Sequence, residues 1–470
     1  MLASVPCASV TQCNPEASRE EEVSTDVLVV GGGLGGLAAA LDLKKYGYAV
    51  KVVHVGALGG HHVLGSAPRL SDVDVEPFVS KAGELDLLEG FFDGFYVYSN
   101  GVRYRVRYKH LVLATGGVDV PITFPQGRKA PQKVAEEVLA RPPSGLRILV
   151  WGTTEWGLRT ALSLRRSGNE VVVMDNSAYL RDVKYYEKVK SAIDFPVITS
   201  VRIRGFEKGL LKYEVVTGRK ENQPGEVNID LVVSAVRLVN PYVVTKLGYK
   251  VWYSFELSSL VPRRSNYGEL LILDESGRSV GGSNVYVTGH LYGALRESHI
   301  VEQGRLLAAY IASKDGIESR DKAKDLLDKF LVTLTIEANW LYNLGNRLEK
   351  GTDDTRRYVE PNVIDVPFWA SYWPQIEEVE EDIVICPCDG STIDKYLEEV
   401  KRLNNLKEVK IKITHEETDL LRQLKIPTLQ FSGSVCKESV CLPYAAVILG
   451  AALAQRPSYF LYGKPQMLYG

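Results

Sequence analysis

The chain has 470 residues, 45% hydrophobic and 24% charged, an ordinary globular balance with room for about three domains. A net charge of −2 gives no support to a nucleic-acid or membrane-surface role, and no run approaches the roughly 18 apolar residues that span a bilayer. No basic-then-apolar leader opens the sequence, so the cytoplasm is the expected compartment, with any membrane association coming through partners.

Residues 1–24 are rich in Ser, Glu, Pro and Ala without periodicity and read as a flexible extension. Cys7 and Cys13 within it read as incidental thiols, with a metal or disulfide role as the alternative. Asp26-Val-Leu-Val-Val then forms an apolar strand that runs straight into Gly31-Gly-Gly-Leu-Gly-Gly36, followed by an alanine- and leucine-rich helix. Gly31, Gly33 and Gly36 fall on the G-x-G-x-x-G spacing. The first allows a sharp turn, the second a close pyrophosphate, and the third tight helix–strand packing, so dinucleotide binding is the favoured reading. Ala49–Val55 reads as the next strand. At its end, where a ribose calls for a carboxylate, stands His54, which can accept one hydrogen bond but cannot chelate two hydroxyls. His61 and His62 follow Gly59-Gly60 and are expected to be solvated, since neighbouring side chains diverge and no third ligand is near in sequence.

Phe91–Arg107 alternates as antiparallel strands with one wet face do, and His110–Leu113 is an apolar strand ending in Ala114-Thr115-Gly116. A second nucleotide fold begins at Arg147-Ile-Leu-Val-Trp-Gly152, with Thr154 in the middle glycine's place, Gly157 closing the turn and Asp175 placed for a ribose. A side chain at position 154 obstructs a pyrophosphate, which leaves open NAD(P), another adenine nucleotide or a purely packing role.

Glycine triplet, Ala-Thr-Gly and second nucleotide fold together resemble the two-dinucleotide-domain flavoproteins, the pyridine nucleotide-disulfide oxidoreductases. The resemblance implies a glutathione-reductase-like α/β fold with two Rossmann-like domains, the second inserted in the first, and FAD held around the first turn. It also implies that Asn284-Val-Tyr-Val-Thr-Gly289-His290 is the return strand, with His290 where the family carries an aspartate beside the flavin's ribityl chain. The family's C-x-x-x-x-C redox pair is not in the sequence, because no cysteine lies between Cys13 and Cys386, so disulfide reduction of that kind is excluded.

Lys314–Arg357 has charged, helix-period spacing, and 358–377 is a proline- and tryptophan-containing linker; the two form one connecting segment over 314–377. Cys386-Pro-Cys388 and Cys436-Lys-Glu-Ser-Val-Cys441 then supply four thiols as two close pairs, with 47 residues between them. Such a quartet suits a tetrahedral zinc or a [2Fe–2S] cluster, and C-x-C is tight for one zinc ion. Following a flavoprotein module, the pattern resembles the bacterioferritin-associated-ferredoxin-like [2Fe–2S] domain of α-type subunits in dye-linked proline dehydrogenases, opine oxidases and hydrogen cyanide synthases. The expected organisation is thus 25–144 with 272–313 for FAD, 145–271 for the second nucleotide, 378–455 for the cluster and 456–470 as a tail. What the resemblance implies is an electron-transfer subunit whose partner, a flavin-dependent dehydrogenase or oxidase, oxidises an amine or amino acid and whose electrons leave to a further acceptor. The alternatives are a free-standing NAD(P)H-dependent flavoprotein reductase and a nucleotide-binding scaffold without a redox flavin.

Overall fold

The structure, a computed structural model, describes residues 19–331 apart from 69–72, 123, 125, 177–179, 181, 216–222, 240–241, 250, 255–258, 263, 274–278 and 294–296, together with the strand pair Val384–Cys386 and Ser391–Thr392. The first sheet is built on β1 (Arg19–Val30), followed by helix α1 (Leu34–Lys45), β2 (Val50–His54), β3 (Asp86–Glu89) and β4 (Val102–Leu113). Both twelve-residue strands, β1 and β4, have a polar first half and a buried apolar end, and they pair in parallel from Arg19 opposite Val102 to Val30 opposite Leu113. Across their polar halves Glu20 pairs with Arg103 and Glu22 with Arg107. Residues 19–24 are therefore strand, which corrects the expected extension over 1–24. The ladder and its cross-strand ion pairs hold a stretch whose composition alone reads as unstructured. Residues 1–18, with Cys7 and Cys13, lie outside the described residues.

The second unit follows with β5 (Arg147–Trp151), α2 (Glu155–Arg166), β6 (Glu170–Met174) and β7 (Leu231–Ser234). The chain then returns through β8 (Glu269–Leu273), β9 (Ser279–Val287) and α3 (Glu297–Lys314). The first sheet runs β8-β9-β4-β1-β2-β3, parallel except for the β8–β9 hairpin, with the antiparallel strands Phe91–Phe92 and Val97–Ser99 added beside β4. The second sheet is all parallel, in the order Val197–Ile198, β6, β5, β7, Gln132–Val134. Because Gln132–Val134 pairs with β7, the second sheet draws on chain ahead of residue 145; β8 pairs with β9 and so joins the first sheet ahead of 272. A three-residue strand is too short to show a period. Where the chain passes between units, Gly117–Val120 pairs antiparallel with Val236–Val239.

Small residues let α1 and α3 cross closely. A Cβ on Gly304 would sit 3.0 Å from the Gly35 carbonyl oxygen and 3.1 Å from Ala38 Cβ. Leu37 and Leu43 of α1, Val27, Val29 and Val52 of the sheet, and Leu307 and Ile311 of α3 share one buried cluster, and each such side chain contributes about 1.5–3 kcal/mol. In the second unit Leu158, Ala161 and Leu162 of α2 do the same against Ile148, Val150, Val171 and Val173. No helix among the described residues is long and apolar enough to cross a membrane. Residues 320–331 are helical and begin the expected connecting segment. The linker, the tail and most of 378–455, with Cys388, Cys436 and Cys441, lie outside the described residues. Cys386 is described as the end of a short strand, opposite Ser391.

Candidate functional site

At the C-terminal edge of the first sheet the expected residues converge. Gly31 has φ +120°, and a Cβ there would lie 2.1 Å from the Ala114 carbonyl oxygen; one on Gly36 would lie 2.0 Å from the Gly31 oxygen. These two glycines are needed for the backbone to close on itself. Gly33 differs, because a Cβ there meets nothing within 4 Å, and Gly33 is the N-cap of α1 with no side chain capping the helix. An open approach to an uncapped helix N-terminus is what a pyrophosphate requires. Ala114 is held to the turn by its N–H donating to the Val30 carbonyl, and Thr115 and Gly116 (φ +69°) follow it. Gly289 (φ +64°) abuts Gly35, and the Gly59 N–H donates to the Gly32 carbonyl at 2.8 Å. His54 lies against Gly32, and its Nδ1 donates to the Gly56 carbonyl at 3.0 Å, which leaves Nε2 as the ring atom for one ribose hydroxyl. The residues at this turn thus fit the adenosine pyrophosphate half of FAD.

The second turn has the same backbone and a different finish. Gly152 also has φ +120°, and a Cβ on Gly157 would lie 2.0 Å from the Gly152 oxygen. Thr154, however, is buried and caps α2 itself, its hydroxyl accepting from the Gly157 N–H at 3.3 Å. Asp175 is fully buried and accepts from both the N–H and the hydroxyl of Thr153, each at 2.8 Å. The carboxylate expected to meet a ribose is turned into the protein and the cap expected to meet a phosphate is already made. NAD(P) seated on its glycine turn does not fit these residues.

Between the turns lies a cluster not visible in the sequence. His61 and His62 occupy the 3-10 turn Gly60–Val63, with rings 3.9 Å apart, and the His290 ring is 5.1 Å from that of His61. The expectation of solvated, diverging rings is therefore wrong: His62 and His290 are buried, His61 is half-buried, and the third imidazole arrives from the end of β9. Nδ1 of His62 is 3.1 Å from the Glu297 carboxylate at the start of α3. Arg159 donates to the His62 and Leu64 carbonyls at 3.3 and 2.8 Å. Arg237 donates to Asp119 at 2.7 Å and to Glu136 at 2.6 Å, and the Trp156 indole donates to Asp119 at 3.2 Å. Burial, followed by the nearby positive charges, pushes His61 and His290 well below the usual imidazole range. Burial also lowers His62, against the pull of Glu297. Burial would raise Glu297, but the hydrogen bond from His62, with Arg159 nearby, outweighs it and holds the carboxyl low. One signal was available in the sequence: His61-His62 and His290 each follow a glycine just beyond a strand, and β2 and β9 end on the same edge of one parallel sheet.

Comparison with known proteins agrees with this layout. Residues 25–251 match the model of the pyridine nucleotide-disulphide oxidoreductase family. A curated relative, "Ferroptosis suppressor protein 1" of Taeniopygia guttata, is 26% identical over 285 residues, which cover 57% of this chain and 74% of the relative. "Cinnamate reductase" of Clostridium sporogenes is 28% identical over 187 residues, 37% of this chain and 27% of that protein. Among solved structures, L-proline dehydrogenase from P. horikoshii superposes with a TM-score of 0.51 at 20% identity, covering 94% of this chain and 76% of that one. The matched region and the two-unit topology define the class: a FAD-dependent oxidoreductase built on two dinucleotide-binding folds.

Proposed function

We propose that the chain is the electron-transfer subunit of a heteromeric flavin-dependent dehydrogenase whose partner subunit oxidises a small amine or amino acid. The observation that carries this reading is the contrast between the turns: Gly33 is open to a flavin nucleotide, whereas Thr154 and Asp175 close the second turn to NAD(P)H as electron donor. Electrons then enter from a donor other than a nicotinamide nucleotide, a role that a partner subunit would fill. The likeness in fold to a proline dehydrogenase over 94% of the chain supports a dehydrogenase assembly, and the quartet Cys386, Cys388, Cys436 and Cys441 supports a [2Fe–2S] exit. When bound, FAD supplies two-electron chemistry and the cluster one-electron chemistry, the division a relay needs.

For the chain's own residues the roles are binding and orientation. The Gly31–Gly36 turn and the start of α1 would hold the pyrophosphate, His54 Nε2 would accept from the ribose, and Ala114, Thr115, Gly116, Gly289 and His290 would border the site. Purification of the untagged chain from its own cells tests the proposal. Flavin bands, an iron–sulfur shoulder with two irons per chain and a co-purifying flavoprotein are expected; a colourless chain without a partner would overturn it.

A further inference from the structure

We propose that His61, His62 and His290 form a binding site for a divalent transition-metal ion of the zinc class, with Glu297 as the carboxylate that orients His62. One ring nitrogen from each of the three imidazoles lies within 4.8 Å of the other two. A tetrahedral ion with bonds of about 2.0–2.1 Å needs nitrogens roughly 3.3–3.4 Å apart, so side-chain rotations of about an ångström complete the set. Three neutral imidazoles are the ligand type that zinc, copper, nickel and iron prefer, and three protein ligands leave a fourth position open.

A further feature matches a metal better than a packed aromatic cluster. It is the His62–Glu297 bond: a ligating imidazole commonly gives its second ring N–H to a carboxylate, which fixes the tautomer and the ring's direction. If Nδ1–H donates to Glu297, Nε2 carries the lone pair. Such an ion would tie the loop after β2 to the loop after β9 at the mouth of the nucleotide site.

The test uses the untagged full chain, dialysed with Zn²⁺ alone and then freed of excess, with zinc, iron and flavin measured on the same samples. The wild type is expected to hold one more zinc per chain than either His62→Ala or His290→Ala, and Glu297→Gln to bind zinc about 10–100-fold more weakly. Loaded with Cu²⁺, the wild type is expected to show imidazole nitrogen coupling by electron paramagnetic resonance. Equal zinc in the wild type and in both folded histidine variants would overturn the proposal. Should the variants not fold, a copper spectrum of the wild type without nitrogen coupling would overturn it by itself. Iron and flavin content of the wild type report separately on the proposed relay, so one reading can fail without the other.

Discussion

At Gly31–Gly36 the following helix starts on a bare glycine with open space where its Cβ would stand, whereas at Gly152–Gly157 the matching helix starts on Thr154, whose hydroxyl caps it from within. The strands, the left-handed first glycine and the crowded last glycine are shared, so the two turns spend the same residues on closing the backbone. They differ in where the polar groups point. In the first unit the helix start and His54 Nε2 remain for a ligand; in the second, Thr154 and Asp175 bond to the protein. A glycine spacing therefore reports a fold, and the middle position with the carboxylate at the next strand end reports whether the fold still carries a nucleotide.

Substitutions can break this comparison in graded ways. Gly36→Ala and Gly157→Ala should be equally damaging, each by more than about 3 kcal/mol in chemical denaturation, because each new Cβ falls 2.0 Å from a backbone oxygen. Unequal losses would show that the turns are not the same scaffold. Asp175→Ala should cost about 1–3 kcal/mol of stability by leaving Thr153 without its acceptor, a loss that a carboxylate reserved for ribose would not show. Gly33→Ala should leave denaturation within about 0.5 kcal/mol of wild type, since its Cβ has open space, while weakening FAD at least about 10-fold.

The first unit should show a pH effect of its own. Burial would raise Asp315, but hydrogen bonds from Lys109, His110 and Tyr48 outweigh it and hold the carboxyl at about 2. Its contribution is present above the unfolded value near 4 and is lost as pH falls toward 2. Burial lowers His110, so the folded state binds fewer protons than the unfolded one below about 6.5 and stability falls with pH there too. Asp315→Asn should flatten the acid limb in denaturation midpoints measured from pH 7 down to about pH 2. Smallest of all, Thr154→Gly restores the glycine spacing and should cost only a few tenths of a kcal/mol, without creating NADH binding, because Asp175 stays turned inward.

Much of this was legible in the sequence: the glycine spacing, Ala114-Thr115-Gly116 after its strand and the obstructing Thr154 all reflect local chemistry. Three features were not. Residues 19–24 become strand only because Arg103 and Arg107 lie opposite their carboxylates, a pairing more than 80 residues distant in sequence. Asp175 has the right position for a ribose, and only tertiary packing shows Thr153 taking it. His61 and His62 look solvated until the return strand brings His290 to the same edge of the sheet.

The most direct measurement is calorimetric titration of the flavin-depleted full chain with FAD and, separately, with NADH and NADPH, for the wild type and Gly33→Ala. The expected result is one saturable FAD site in the wild type, weakened at least about 10-fold by the substitution, and no saturable binding of either nicotinamide nucleotide. Saturable NADH or NADPH binding, or FAD binding untouched by Gly33→Ala, would contradict the division of roles between the two turns.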